Sequence, residues 1–112
     1  MNFDEYQRAT GRTVPKSMSR DDRLAMGIVG MCGETGELAE VYKKHRFQGR
    51  DLDVDRMANE MGDQLWYMSE TAKAIGMTLD EIASRNIAKL QTRYPNGFTV
   101  EDSIRKLDRL VK

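Results

Sequence analysis

Apolar residues recur along the chain at steps of three and four, and no segment sustains the two-residue alternation of a strand, so the pattern predicts helices throughout. A first short helix opens at Asn2, whose side chain caps while Glu5 reaches back, and it fades by Gly11. The stretch Arg12 to Ser19, which contains Pro15, reads as a loop ending in an N-cap at Ser19. The second helix is expected from Asp21 to His45, with Leu24, Ile28, Met31, Leu38 and Tyr42 as its core-facing stripe. A polar connection around Gln48, Gly49 and Arg50 leads to a third helix, Asp55 to Ile75, whose stripe is Met57, Met61, Leu65, Met68 and Ala72 and whose C-cap is Gly76. Thr78 with Glu81 opens a fourth helix carrying Leu79, Ile82, Ala83, Ile87 and Leu90 and ending before Pro95. Asn96 and Gly97 turn the chain into a last helix from about Glu101, with Ile104, Leu107 and Val111 on one side. The expected fold is all-α: an antiparallel bundle of four to five helices.

Four glycines, at 27, 30, 33 and 36, interrupt this picture inside the second helix. Each costs a helix interior about 1 kcal/mol relative to Ala, so the run calls for close approach of another backbone or of a ligand.

Length and charge narrow the class. At 112 residues the chain is read as a single domain, 1–112, small enough that a subunit interface would help complete its core. Eighteen basic and eighteen acidic side chains give a formal net charge of zero, which disfavours nucleic acid and anionic membranes as partners. The longest uncharged run, Leu24 to Gly33, is ten residues, about half of the ~20 that span a bilayer. Asn2, Phe3, Asp4 and Glu5 stand where a signal peptide would be basic, so a soluble, cytoplasmic protein without membrane partners is expected. The single Cys32 closes no internal disulfide and lacks partners for a zinc site.

The candidate chemistry is acidic. Glu34 and Glu37 are three apart on the second helix, and Glu60 and Asp63 are three apart on the third, so each pair projects from one side of its helix. If the two helices pack antiparallel, four carboxylates converge with no His among them, an all-oxygen set suited to Mg²⁺, with Mn²⁺ as substitute. Acids at this spacing are commonly solvated surface residues paired with Lys or Arg. Here no Lys or Arg lies between Arg23 and Lys43 to neutralise the first pair.

Gly33-Glu34-Thr35-Gly36-Glu37-Leu38-Ala39-Glu40, followed after the second helix by Asn59-Glu60-Met61-Gly62-Asp63-Gln64-Leu65-Trp66-Tyr67, resembles the ExxE and ExxD motifs of the MazG-type all-α nucleoside triphosphate pyrophosphohydrolases. Asn86, Lys89, Arg93, Tyr94 and Pro95 extend the resemblance, which covers about residues 24–98. Gly62 departs from it modestly, standing where Ala or Ser is more usual. The resemblance implies Mg²⁺-dependent cleavage of a nucleoside triphosphate to the monophosphate and pyrophosphate, a role in clearing the nucleotide pool, and assembly as a homo-oligomer, a dimer or dimer of dimers. It points to Glu34, Glu37, Glu60 and Asp63 as metal ligands and catalytic residues. One Glu of the first pair is the candidate base.

Asn86, Lys89 and Arg93 recur at steps of three and four on the fourth helix, where they are candidate phosphate contacts or an ordinary solvated face. Trp66 is a candidate base contact, although one aromatic at helical spacing is more often core. Lys43, Lys44, His45, Arg46 and Arg50 could steer a triphosphate, or reflect the preference of a helix C-terminus for cations. Asp51, Asp53 and Asp55 imitate a calcium loop, but Arg56 replaces its required Gly and Gly62 its closing Glu. A di-iron bundle would need Glu-x-x-His pairs, and His45 lies outside both acidic motifs. The competing reading is a non-catalytic helical interaction protein with acidic surface pairs.

Overall fold

The computed structural model describes residues 1–109, and within them the chain is all-α with five helices: α1 (Phe3–Thr10), α2 (Arg20–Gln48), α3 (Val54–Ala74), α4 (Leu79–Arg93) and α5 (Val100–Arg105). Short 3-10 turns follow α1, over Gly11–Thr13, and α5, over Leu107–Arg109. Val111, expected on the last helix, lies outside the described residues. No helix among the described residues is long and apolar enough to cross a membrane. The chain forms two compact units, Met1–Thr78 and Leu79–Lys112.

The helix boundaries follow the local chemistry of their ends. Asn2 Oδ1 accepts the Glu5 amide at 2.8 Å, and Ser19 Oγ accepts that of Asp22 at 3.1 Å, each satisfying a donor that the first helical turn leaves orphaned. α2 runs three residues beyond the expected His45 and stops at Gly49, whose φ of 68° is open to glycine at little cost. α3 ends at Ala74 with Ile75 as its C-cap, one residue before the expected Gly76, which follows at φ 76° as the Met77 amide turns back to Ala72 O at 2.9 Å.

In the first unit α2 and α3 pair along their lengths, and α1 packs on α3. The face of α2 that meets α3 differs from the expected stripe. Leu24, Met31 and Leu38 are half-buried, but Ile28 and Tyr42 are about half exposed, and the buried positions of α2 are Gly27 and Val41. On α3, Ala72 is buried while Met61 and Met68 are exposed. The glycines explain the shift. A Cβ on Gly27 would run into the Thr71 side chain and one on Gly30 into the Tyr67 ring, whereas Gly33 and Gly36 face open space. The helices therefore approach most closely where α2 has no side chains.

Gly30→Ala is accordingly expected to destabilise the protein by about 1–3 kcal/mol through overpacking against Tyr67, outweighing the helix-propensity gain. Gly33→Ala meets nothing and should stabilise by up to about 1 kcal/mol. Urea unfolding of the two variants checks the contrast, and equal shifts would refute the packing account.

A buried polar layer joins α1 to α3. Thr10 Oγ1 and Ser69 Oγ lie 3.2 Å apart, and Lys73 Nζ donates to Gln7 O at 2.8 Å. Beneath them Glu70, 1% exposed, is paired with Lys73 at 2.8 Å and with Arg23 at 3.6 Å. In the second unit α4 packs against α5 and the 3-10 turn that follows it, where Arg93 forks onto Asp108 with Nε–Oδ1 2.6 Å and Nη2–Oδ2 2.9 Å.

Candidate metal centre

The register of α2 against α3 is fixed beside the acids. Gln64 Nε2 donates to Thr35 Oγ1 at 2.7 Å, and that hydroxyl in turn donates to Met31 O one turn back at 2.8 Å. This places Glu34 opposite the second acidic pair. One carboxylate oxygen from each of Glu34, Glu60 and Asp63 lies within 4.8 Å of the others, with Glu34 and Glu60 half-buried and Asp63 exposed.

Such crowding of like charges has a visible consequence. The Glu34 carboxyl is held above its ordinary value, first by a hydrogen bond shared with Glu60, then by desolvation, then by the charges of Asp63, Glu60 and Glu37. A hard divalent cation would remove this repulsion, and a set of three carboxylates with no nitrogen or sulfur donor suits Mg²⁺ or Mn²⁺. Glu37, the fourth expected ligand, is exposed and stands outside the trio, though its charge reaches Glu34.

A pocket of about 390 Å³ opens beside the trio, lined by Thr13, Glu34, Asp63, Trp66 and Tyr67. Trp66, the candidate base contact, is half-buried, and its indole Nε1 donates to Thr13 Oγ1 at 2.9 Å. Tyr67 meets it edge to face, with ring centroids 5.1 Å apart. Thr13 comes from the 3-10 turn after α1, a segment read from sequence only as loop. Nothing in its local pattern pointed to the pocket.

On α4, Asn86 and Lys89 are exposed. Arg93 commits its guanidinium to Asp108, whose carboxyl the pair holds below its ordinary range. In the basic cluster, Lys43 pairs with Glu40 at 2.9 Å, Arg46 lies over the Phe47 ring, and the His45 Nδ1–H donates to Arg50 O at 2.8 Å.

Residues 27–98 match the MazG nucleotide pyrophosphohydrolase domain, which is more than half of the chain and includes both acidic pairs. The chain belongs to this family. A protein of Mycobacterium phage L5 named Gene 37 protein is 32% identical over 108 residues, covering 87% of this chain and 92% of its own length. No solved structure shows significant similarity to the chain. MazG membership supports a hydrolase that acts on nucleotides.

Proposed function

We propose that the protein is a Mg²⁺-dependent nucleoside triphosphate pyrophosphohydrolase, converting a (d)NTP and water to the (d)NMP and pyrophosphate as part of nucleotide-pool house-cleaning. The observation that carries this reading is the convergence of Glu34, Glu60 and Asp63 across the α2–α3 seam, within a MazG domain and beside an aromatic pocket.

In this reading Glu34, Glu60 and Asp63 hold Mg²⁺, or Mn²⁺ in its place, and Glu37 supports them at the exposed edge of the site. Bound metal supplies neutralisation of phosphate charge and activation of water. Glu37 accepts the proton of the attacking water, because the trio's oxygens are committed to the cation. Trp66, oriented by its hydrogen bond to Thr13, offers its ring as a surface for the base. Asn86 and Lys89 are proposed as phosphate contacts, with Arg93 braced by Asp108 beside them on the same helix.

The test is incubation with a panel of dNTPs and NTPs plus Mg²⁺, scoring monophosphate and pyrophosphate against diphosphate and orthophosphate. Absence of metal-dependent hydrolysis across the panel would favour the non-catalytic interaction protein.

A homo-oligomer, dimer or dimer of dimers, also belongs to this reading. Ile28, Val29, Met61 and Met68 leave apolar surface exposed on α2 and α3 that a subunit interface would cover. Light scattering at low micromolar concentration should give a multiple of 12.8 kDa, and the monomer mass would contradict it.

A further inference from the structure

The acids stand where the seam between α2 and α3 is loosely packed. The buried positions of these helices are Gly27 and Val41 on α2 and Ser69, Glu70, Ala72 and Ala74 on α3, so none lies in the stretches that carry Glu34, Glu60 and Asp63. Met31, Leu38, Met57 and Leu65 are only half-buried there. Gly33, Gly36 and Gly62 border the acids, and a Cβ on any of them would have no neighbour within 4 Å. Register between two helices is ordinarily set by side chains that interlock across the seam. Around the acids little of that constraint is present.

A polar contact takes its place. Gln64 Nε2 donates to Thr35 Oγ1 at 2.7 Å, and the Thr35 hydroxyl spends its own proton on Met31 O at 2.8 Å, which fixes the direction of the lone pair that Gln64 meets. Thr35 follows Glu34 and Gln64 follows Asp63, so the bond ties the residue beside one acid on α2 to the residue beside another on α3. Thr35 is exposed, and water would replace the bond at small cost to folding. Its consequence is geometric: it holds the spacing of acids that repel one another and that packing does not hold.

We infer that Thr35 and Gln64 are positioning residues of the metal centre: by keeping the α2 and α3 carboxylates at a set separation, they favour a small cation of strict geometry over a larger, adaptable one. The inference rests on the reading of Glu34, Glu60 and Asp63 as ligands. Mg²⁺ requires near-octahedral coordination at about 2.0–2.1 Å, whereas Ca²⁺ accepts irregular coordination at about 2.3–2.6 Å. A loosened seam should therefore cost affinity for Mg²⁺ and spare that for Ca²⁺.

Calorimetric titration of the metal-free, full-length protein with Mg²⁺ and, separately, with Ca²⁺ tests the inference. Thr35→Val keeps the size and Cβ branching of the side chain and removes its hydroxyl, and Gln64→Met keeps the length and removes the donor. Each variant should bind Mg²⁺ roughly 10-fold more weakly, the lower end of the loss that follows removal of a group supporting metal ligands, and Ca²⁺ less than about threefold more weakly. Thr35→Ser, which retains the hydroxyl, should bind both cations as the wild type does. The double variant, Thr35→Val with Gln64→Met, should lose no more than either single change, because both break one bond. Unchanged Mg²⁺ affinity in the folded variants, an equal loss for the two cations, additive losses in the double variant, or failure of Thr35→Ser to restore binding would each overturn the positioning role. A wild type that binds no Mg²⁺ would overturn it together with the metal centre. Mg²⁺ affinity that depends on Thr35 in a protein that hydrolyses no triphosphate would uphold it and overturn the proposed reaction alone.

Discussion

Asp63→Asn and Glu34→Gln are each expected to lower hydrolysis by roughly 10²- to 10³-fold, the loss typical when one group that organises charge at a reacting centre is removed, while making the metal-free protein more stable. The two effects have one cause. Glu34, Glu60 and Asp63 place three acidic oxygens within 4.8 Å, which is useful to a divalent cation and costly without one. The sign follows from Glu34, whose carboxyl is raised, chiefly by the hydrogen bond shared with Glu60. The folded state binds its proton more tightly than the unfolded chain does. Its contribution is therefore most favourable below the ordinary value of 4.5 and is lost as pH rises through the raised value. Thermal midpoints without metal should fall across that window in the wild type and fall less in Glu34→Gln. Added Mg²⁺ should raise the wild-type midpoint at neutral pH and leave both variants nearly unchanged. Near wild-type turnover in both variants would remove the trio from the reaction.

The acidic trio was legible in the sequence because helical periodicity alone puts Glu34 on one face of α2 and Glu60 with Asp63 on one face of α3. Glu37 shows the limit of that periodicity: Glu60 and Asp63, three apart, both join the trio, whereas Glu37, at the same spacing from Glu34, is exposed and stands outside it. The helix faces were less legible. A pattern of apolar side chains assigns Ile28 and Tyr42 to the core, yet α2 meets α3 through Gly27 and Gly30, where contact depends on the absence of a side chain. Thr13 and Asp108 depend on contacts across the fold. Thr13 reaches Trp66 over 53 positions, and Asp108 reaches Arg93 by way of the turn at Gly97 and a left-handed residue, Lys106, neither of which periodicity encodes. Glu70 was hidden by its type. An acid on an amphipathic helix reads as surface until its cations, Lys73 one turn away and Arg23 on another helix, are seen beside it.

Removing one of those cations is expected to be the most destabilising single change in the first unit. Glu70 is 1% exposed, and Lys73 Nζ stands 2.8 Å from its Oε1 as an ion pair instead of a well-aimed hydrogen bond. The same ammonium donates to Gln7 O at 2.8 Å and Thr10 Oγ1 at 3.3 Å, so it neutralises the acid and ties α1 to α3 at once. In Lys73→Met the carboxylate loses its nearer cation and keeps Arg23, 3.6 Å from Oε2. Breaking a buried pair on one side costs about 3–5 kcal/mol, and the lower end applies because the Lys73 side chain is 27% exposed. That is a large share of the roughly 5–15 kcal/mol that holds a small protein folded. Replacing both partners, Glu70→Leu with Lys73→Met, should recover most of the loss, since no uncompensated charge is then left inside. Urea unfolding of the two single variants and the double variant measures the coupling. The double variant should nevertheless stay impaired in turnover, because the Lys73 ammonium no longer bridges Gln7 O and Thr10 Oγ1 to α3 and α1 no longer delivers Thr13 firmly to the Trp66 indole. Full activity with restored stability would show that the Thr10–Ser69 and Thr13–Trp66 contacts hold this segment without Lys73, and an unchanged midpoint in Lys73→Met would show that Arg23 suffices to hold the buried charge.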